Sequence, residues 1–551
     1  MKRKLLKFLG VATLLLFTST MLGQTNTWNG SSSTNWNTAA NWSDGTVPLA
    51  TDDVVIPSAP ANQPTISAIT AVSAALTVQD GAILTIDSDG GLTVDGALNI
   101  NTGGSVTINS TASDSGTLIF NGTRSGNITY KRFVTGGGWY LIAAPVEGYS
   151  GNDLFNDNGG TATFITGNAH PSFGNNAAVA GYNGTAWSYI SSVGFFGPSM
   201  SAGTGVSVNL ISDKSLEMFG SLASSASVGL NTDAFTLLGN PFTASFNVIN
   251  FLAANTARLT QETVWVRSGS GYTAYNDVSP IKIAPGQGFF VRANGTGGSA
   301  SFSRTNNLSH DAADTFGSKS IPFATYELFL DNNGTMRSTR VFYAENRTTG
   351  FDNGSDSSLF SDNDDFSIYT ELVEGSEGQK LEIQTLPDTN IESFIVPVGV
   401  TAVADSEIVF SLEASNFDEN IQITLEDRVT NTFTRLDEAN STYKATTENA
   451  LDGVGRFYMH TTQDALSVDT NEWLSTVQIY KVNNANLRIT GLTQGEATVE
   501  MYNLLGKQVL STSFEAMGTK DIAIPNDISK GIYFVKLETS DGILNKKIIL
   551  E

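Results

Sequence analysis

The chain has 551 residues and carries 54 Asp and Glu side chains against 30 Lys and Arg, so its formal net charge is −24. At roughly 100 to 200 residues per domain, this length predicts about three to five domains. Cysteine is absent, which excludes disulfides, thiolate metal sites and cysteine nucleophiles. So acidic a chain repels the phosphates of nucleic acid and anionic lipid, so neither is an expected partner.

The amino terminus has the features of a secretory signal peptide. Four basic residues precede an apolar run at residues 8–17, and small and polar residues follow up to Gly23. The run is about half of the roughly 20 residues that a membrane-spanning helix requires. We therefore predict a removable leader at residues 1–23 and no transmembrane span in the mature chain.

Beyond the leader the sequence predicts an all-β protein. Short runs rich in Val, Ile, Thr, Tyr and Phe alternate with clusters of Asn, Gly, Asp and Ser, which form turns. Helical periodicity is almost absent. This pattern argues against a parallel α/β fold.

Residues 24–135 contain an internal repeat. Pairs of the Thr-Val type recur at steps of 8, 8, 6 and 8 residues, each after an apolar residue, with Asp-Gly and Gly-Gly corners between them. The pairs start at Thr77, Thr85, Thr93, Asn99 and Thr107. Because such a unit cannot bury its apolar face alone, we predict stacked coils of a short right-handed β-helix. A β-sandwich of short hairpins is the alternative.

Three tryptophans, Trp28, Trp36 and Trp42, precede the repeat. One hypothesis is that their rings are platforms on which sugars stack. The alternative is that they cap the open end of the solenoid core, which is the commoner use of aromatic residues in this position.

Two further β modules are predicted, at residues 136–310 and 323–466. The first is aromatic and low in charge, with a turn at residues 239–242 followed by strand-like runs. The second is an acidic β-sandwich module, since residues 311–469 hold 29 of the 54 acidic side chains and only nine basic ones.

The acidic module contains a candidate calcium site. Five aspartates lie within fourteen residues, interleaved with Asn, Gly and Ser: Asp352, Asp356, Asp362, Asp364 and Asp365. Hard oxygen ligands on a loop are what Ca²⁺ requires. The segment lacks the glycine and glutamate of an EF-hand loop, and a solvated acidic loop without metal is the alternative.

Histidine chemistry is not indicated. His170, His310 and His460 lie far apart, each without a neighbour at metal-ligand spacing, so we expect them to be surface residues without a catalytic role. Hydrolase elbows, phosphate loops and dinucleotide fingerprints are absent. We therefore predict a protein that is not an enzyme and needs no cofactor other than the hypothesised Ca²⁺.

An enzymatic alternative remains open, because a polysaccharide lyase or glycosidase on the β-helix can be built from Asp, Glu, Lys and Arg alone. The acidic residues of the repeat fall at its corners, where they are also ordinary turn formers. They are Asp80, Asp87, Asp89 and Asp95.

Residues 473–551 carry three motifs in a fixed order. They are residues 499–509, residues 530–536, and the Lys546-Lys547 pair before the terminal strand. In this order they resemble the type A carboxy-terminal sorting domain of type IX secretion passengers of the Bacteroidetes. Residues 477–483 replace the Pro-Asn-Pro element with which many members open. The matching signal residues are Tyr502, Asn503, Gly506, Gly531, Tyr533, Lys546 and Lys547.

This resemblance implies an Ig-like β-sandwich that directs the folded passenger across the outer membrane. Removal of the domain then leaves the passenger released or attached to surface lipopolysaccharide. Residues 138–146, 238–242, 285–291 and 350–356 also resemble structural or adhesive modules of large passengers. We therefore expect a secreted or cell-surface structural, adhesive or binding protein. Its expected partners are the secretion machinery, lipopolysaccharide, and polysaccharide or host surfaces.

Overall fold

The computed structural model describes residues 24–166, 176–191, 198–268, 271–305, 307–311, 323–360, 365–462, 477–483, 485–525, 528–540 and 542–550. Within these ranges the chain forms 42 strands and two short α-helices, which confirms the all-β prediction. In the described part of the chain no helix is long and apolar enough to cross a membrane. The predicted signal peptide lies outside the described residues.

The first region is a β-solenoid of twelve strands. They are β1 (Thr25–Thr27), β2 (Asp53–Ile56), β3 (Thr65–Ile66), β4 (Thr70–Ser73), β5 (Ala75–Val78), β6 (Ile83–Ile86), β7 (Gly91–Val94), β8 (Leu98–Ile100), β9 (Ser105–Ile108), β10 (Thr117–Phe120), β11 (Arg124–Ser125) and β12 (Asn127–Val134).

Three parallel ladders form the faces of this solenoid. Their strand orders are β1-β2-β5-β8-β11, β4-β7-β10 and β3-β6-β9-β12. Leu76 stands directly opposite Leu98, so one coil advances by 22 residues, which is the total of the steps of 8, 8 and 6 in the repeat. Both side chains are fully buried. The predicted stacking of coils is confirmed, and each sequence unit is one side of a three-sided coil.

The three tryptophans close the first end of this core. Trp28 and Trp36 are 0% exposed and Trp42 is 2% exposed. The ring centroids of Trp36 and Trp42 are 4.6 Å apart, and the indole of Trp28 donates to the backbone oxygen of Asn62 at 2.7 Å. Stacking on a sugar needs an open ring face, so the stacking hypothesis is wrong. The rings belong to the same apolar cluster as the solenoid interior.

The second region contains two helices and fourteen strands. The helices are α1 (Gly151–Asp157) and α2 (Val248–Asn255). The strands are β13 (Trp139–Ala143), β14 (Asn176–Tyr182), β15 (Trp187–Ser191), β16 (Gly205–Asn209), β17 (Lys214–Ser221), β18 (Ser225–Gly229), β19 (Phe235–Gly239), β20 (Ser245–Asn247), β21 (Val264–Ser268), β22 (Gly271–Tyr275), β23 (Lys282–Ile283), β24 (Gly288–Arg292), β25 (Ser299–Ser303) and β26 (Leu308–Ser309).

No break in packing separates the solenoid from the second region. Strand β12 pairs in parallel with β9 of the solenoid and antiparallel with β17, so one sheet crosses the predicted boundary at residues 135 and 136. A single apolar cluster runs from Trp28 to Leu222. The remaining strands of the second region enclose a separate core that contains Phe246, Phe251 and Phe289. The predicted domain boundary therefore cuts through one continuous core.

The third region consists of eleven strands. They are β27 (Ala324–Asn332), β28 (Thr335–Ala344), β29 (Ser357–Ser358), β30 (Ser367–Thr370), β31 (Leu381–Pro387), β32 (Ile395–Ala402), β33 (Ser406–Ser415), β34 (Gln422–Asp427), β35 (Thr432–Arg435), β36 (Tyr443–Thr447) and β37 (Leu451–Thr462). They form one sheet in the order β35-β34-β37-β32-β30-β31-β28-β27-β33-β36, with β29 on β31. Leu425 near one end and Ala445 near the other share a core, so the sheet folds over on itself like a sandwich.

The last region, which we call the sorting domain, has five strands. They are β38 (Gln478–Asn483), β39 (Asn486–Asn503), β40 (Gln508–Ala523), β41 (Gly531–Thr539) and β42 (Gly542–Leu550). Strand β38 pairs with the first part of β39, and β41 pairs with its last part. Register shifts between Ile489 and Gly495 bend the long hairpin between these two parts. Side chains from both parts fill one core, which is the arrangement of a small β-sandwich.

Candidate functional site

A tight turn joins the two longest strands of the sorting domain, and two of the predicted signal residues build it. The side-chain Oδ1 of Asn503 accepts hydrogen bonds from the backbone N–H groups of Leu505 and Lys507, both at 3.0 Å. The backbone N–H of Gly506 donates to the carbonyl oxygen of Asn503. Gly506 has φ +77°, a left-handed conformation that is costly for a residue with a Cβ. Both residues therefore fix the shape of the turn.

This turn presents two leucines to solvent. Leu504 is 65% exposed and Leu505 is 92% exposed. Seven of the fourteen exposed large apolar side chains in the described chain belong to the sorting domain, which is only about one seventh of the sequence. Leu504 and Leu505 are neighbours in this turn, so they form one exposed apolar surface.

The outward face of the sorting-domain sheet carries two more signal residues in one row. Tyr502 on β39 lies opposite Phe534 on β41, and Phe534 lies opposite Lys547 on β42. The Tyr502 hydroxyl donates to Glu500 at 3.0 Å, and this bond is the main cause that lowers the pKa of the Glu500 carboxyl. The row therefore combines a phenol ring, an apolar ring and an exposed ammonium group on one surface.

The other signal residues of β41 have structural roles. Tyr533 is buried, and its hydroxyl donates to the backbone oxygen of Ser529 at 2.6 Å. Gly531 is the first residue of β41 and is paired with Leu550. An added Cβ at Gly531 would make only ordinary contact with Tyr533. Tyr533 therefore stabilises the fold of the sorting domain, whereas Gly531 only continues the backbone of its strand.

The lysine pair lies on the terminal strand β42. Lys546 stands opposite Val535 and Lys547 opposite Phe534, and both are exposed. Neither forms an ion pair with any residue that the structure describes. Strand β42 is also an edge of its sheet, since within the described chain it pairs only with β41. Two exposed cations at a sheet edge, in a protein of net charge −24, distinguish this end by charge.

Two of the candidate calcium ligands, Asp352 and Asp356, already have hydrogen-bond partners in the chain. The Asp352 carboxylate accepts from the backbone N–H and the hydroxyl of Thr348. Asp356 is fully buried, where one oxygen accepts from the backbone N–H of Thr385 at 2.6 Å and the other from the backbone N–H of Asp352 at 2.6 Å. Burial raises the pKa of Asp356 to about 6. Both carboxylates therefore hold the loop itself.

The calcium hypothesis stays a prediction, because the structure does not test it at the other three aspartates. Asp365 is exposed, and Asp362 and Asp364 lie outside the described residues. Within the described ranges, no group of three or more acidic or histidine side chains is placed to hold a metal ion.

Two histidines are structural and not surface residues, so that expectation is wrong for them. His310 is inserted between Thr93 and Thr117 of the solenoid, with each ring nitrogen 2.7 Å from a threonine hydroxyl oxygen, and burial lowers its pKa to about 4. His460 is buried, with Nε2 2.9 Å from Glu426. His170 lies outside the described residues.

Acidic residues of the solenoid connect successive coils. Asp87 accepts from the side-chain amide of Asn109 at 3.0 Å, and Asp95 accepts from that of Asn121 at 2.8 Å. Asp89 accepts from Ser67 at 3.0 Å, again one coil away. These bonds are structural and give no support to a catalytic pair on the β-helix.

Sequence reasoning missed a buried polar cluster between the second and third regions. The Glu382 side chain accepts from the backbone N–H of Ala274 at 2.6 Å, and the Arg340 guanidinium donates to Ser279 at 2.7 Å. The second Glu382 oxygen has no hydrogen-bond partner among the described residues. Burial raises the pKa of Glu382 to about 7, against an opposing effect of Arg340. The alternation in β31 offered a partial signal, because it places Glu382 on the face opposite Leu381 and Ile383.

Two known families match parts of this chain, and one of them covers the carboxy-terminal region. Residues 462–551 match the family described as secretion system C-terminal sorting domain. The chain is therefore a type IX secretion substrate, exported to the cell surface or secreted, as the sequence motifs predict. Residues 27–277 match a domain of unknown function, DUF8693. That match extends across residue 135, in agreement with the continuous core there.

Comparisons with individual proteins add little. The search of curated proteins gives no match. Among solved structures, the BSP domain of a biofilm associated protein shares 9% identity over 60% of this chain and 81% of its own, with a TM-score of 0.13. Dimeric latent PorU from Porphyromonas gingivalis shares 11% identity over 62% of this chain and 35% of its own, also with a TM-score of 0.13. Scores this low carry no functional argument.

Proposed function

We propose that this exported chain is a non-enzymatic structural or adhesive protein of the cell surface. The observation that carries the proposal is that packed contacts continue from the solenoid to the sorting domain. A passenger of this kind is a continuous scaffold that can hold a binding surface away from the cell. Attachment to surface lipopolysaccharide after removal of the sorting domain, which the family resemblance implies, is part of the proposal.

The first junction joins the solenoid to the second region. Besides the shared strand β12, Arg304 places its guanidinium carbon 4.1 Å from the centroid of the Phe120 ring and donates to the backbone oxygens of Phe120 and Asn121. The Thr243 hydroxyl donates to the backbone oxygen of Leu118 at 2.6 Å, and the Leu118 backbone N–H donates to the backbone oxygen of Thr243 at 2.7 Å. A cation over an aromatic face and paired backbone groups resist separation of the two parts.

The second and third junctions are of the same kind. Between the second and third regions, the indole N–H of Trp265 donates to the backbone oxygen of Ser358 at 3.0 Å, within a buried polar interface. Between the third region and the sorting domain, the Thr519 hydroxyl donates to the backbone oxygen of Val454 at 2.8 Å. The Gln478 side chain donates to the backbone oxygen of Leu372 at 3.1 Å.

The experiment compares a strain that lacks the gene with its complemented parent. The proposal predicts several-fold lower attachment of the mutant to polysaccharide-coated or host-cell surfaces, with equal hydrolysis of polysaccharides by both cultures. Release of new reducing or unsaturated ends from a polysaccharide by the purified chain would contradict the non-enzymatic part. Equal attachment of the two strains would contradict the adhesive part.

A further inference from the structure

A cleft opens where the second and third regions meet, away from the sorting domain. Its volume is about 430 Å³, within the range of roughly 300 to 1,000 Å³ that is usual for small-ligand sites. Strands β21 and β22 form one wall, and β27 and β28 form the other. The site therefore exists only where the two regions are joined.

This junction is held by buried polar bonds, so the cleft is preformed. Two hydrogen bonds join Gln261 and Ser358. The Gln261 amide donates to the Ser358 hydroxyl, and the Ser358 backbone N–H donates to the Gln261 side-chain oxygen at 3.0 Å. The Asn276 side chain donates to Ser357 at 2.9 Å. These groups are buried and satisfied, and such networks fix one relative position of the parts that they connect.

The walls combine aromatic rings with hydroxyl groups. Tyr272, Phe329 and Phe360 line the cleft, and each is half-buried. The Tyr272 and Phe360 ring centroids are 4.4 Å apart, so these rings support each other. Hydroxyl side chains of Thr273 and Ser338 lie among them. Apolar ring surface next to hydroxyl groups suits a ligand with both C–H faces and many hydroxyls.

Two carboxyl groups set the polarity of this cleft. Glu382 is 4% exposed and lines it, and its second oxygen is the one without a hydrogen-bond partner in the described chain. Glu327, two strands away across β28, accepts from the Ser338 hydroxyl at 2.6 Å. Carboxyl oxygens accept hydrogen bonds from neutral hydroxyls. Arg337 also lines the cleft, but this one cation does not offset the two carboxyl groups and the acidic module around them, so an acidic ligand is disfavoured.

We propose that this cleft between the second and third regions binds a short segment of a neutral oligosaccharide. The sugar rings pack on Phe329 and the Tyr272–Phe360 pair, and their hydroxyls donate to Glu327 and Glu382. This is a binding site and includes no bond cleavage. It goes beyond the proposed surface role because binding by the purified chain does not depend on export or adhesion.

The test is calorimetric titration of the purified mature chain with cellohexaose, xylohexaose, mannohexaose and laminarihexaose, and with trigalacturonate as an acidic probe. At least one neutral hexasaccharide is expected to bind, and trigalacturonate is not. Phe329→Ala and Glu327→Gln should weaken binding at least fivefold. The matched controls are Phe219→Ala, an exposed aromatic outside the cleft, and Glu371→Gln, a buried acid outside it. Both controls should leave affinity unchanged.

Three results would overturn the proposal. They are no binding to any neutral hexasaccharide, binding that both cleft variants retain, and binding of trigalacturonate in preference to the neutral sugars. If Phe329→Ala lowers the melting temperature, Glu327→Gln decides the question, because this isosteric change at a half-buried surface position keeps the side-chain shape.

Discussion

Phe534 lies directly opposite Lys547 on the outward face of the sorting domain, and both side chains are exposed. An apolar ring and an ammonium group at one place are suited to a partner surface with an apolar patch and a carboxylate. Neither group is required by the core of the domain. The signal residue Lys547 and its neighbour Phe534 are therefore available for recognition, whereas the signal residue Tyr533 maintains the fold. This separates the recognition residues from the structural ones.

This separation predicts the effect of surface substitutions on export. Phe534→Ser combined with Lys547→Glu should reduce the amount of chain at the surface or in the medium several-fold, with an unchanged melting temperature. Cell fractionation with immunoblotting measures the distribution. Phe219→Ser, which changes an aromatic residue of similar exposure in the second region, is the control and should be exported normally. Normal export of the double variant would show that this face is not recognised.

A substitution at Gly506 tests whether the left-handed backbone of the hairpin turn requires glycine. Gly506→Ala should destabilise the sorting domain by about 1 to 2 kcal/mol, because a Cβ is disfavoured at φ +77° although nothing lies within 4 Å of it. Gly229→Ala, at an equally open position without positive φ, is the matched control and should change stability by less than about 1 kcal/mol. Calorimetric unfolding of the two variants makes the comparison, and equal values would contradict the argument.

The buried Glu382 predicts a pH dependence of stability. Its folded pKa is raised to about 7 by burial, with Glu327 adding to the rise and Arg340 and the Ala274 N–H opposing it. The folded state therefore holds the proton more tightly than the unfolded state. This contribution to stability is complete below about pH 4.5 and is lost as the pH rises through about 7.

Glu382→Gln is expected to remove that part of the pH dependence. Urea unfolding of the parent and the variant at pH 5 and pH 8 measures it. The difference in unfolding free energy between the two pH values should be smaller in the variant, by on the order of 1 to 3 kcal/mol. Glu413→Gln, at an exposed position of the same module, is the control. The same pH dependence in the parent and Glu382→Gln would show that Glu382 is not the group responsible.

The calcium hypothesis makes a separate prediction. If Asp362, Asp364 and Asp365 bind Ca²⁺, the melting temperature should be higher in calcium than in chelator, and Asp365→Asn should reduce this difference. Asp388→Asn, at an exposed position elsewhere in the acidic module, is the control. Asp356 is not expected to contribute, because both of its oxygens accept hydrogen bonds from the chain. Equal melting temperatures in calcium and chelator would remove the hypothesis.

Local patterns were enough to predict the solenoid and the sorting domain. In the solenoid, residues such as Leu76 and Leu98 point inward at a regular spacing, and that spacing is visible in the sequence. The turn at Asn503 and Gly506 depends on residues that are adjacent in the chain. The sorting motifs lie within 53 residues of the carboxy terminus, so the family resemblance also rests on a short segment.

What the sequence did not show depends on distant contacts. The predicted boundary at residue 135 failed because β12 pairs with β17, about 80 residues later. His310 is half-buried and held by threonines roughly 200 residues earlier in the chain. Glu382 alternates with the apolar residues Leu381 and Ile383, a pattern that predicts a solvent-facing position, but it is buried at a contact with Ala274 of the second region. No local pattern encodes such covering.

The last region directs export of the folded passenger. Deletion of residues 473–551, followed by fractionation of the expressing cells, tests this role. We expect the truncated chain to cross the inner membrane and accumulate in the periplasm, absent from the surface and the medium. Arrival of the truncated chain at the surface or in the medium, in amounts like those of the intact chain, would contradict it.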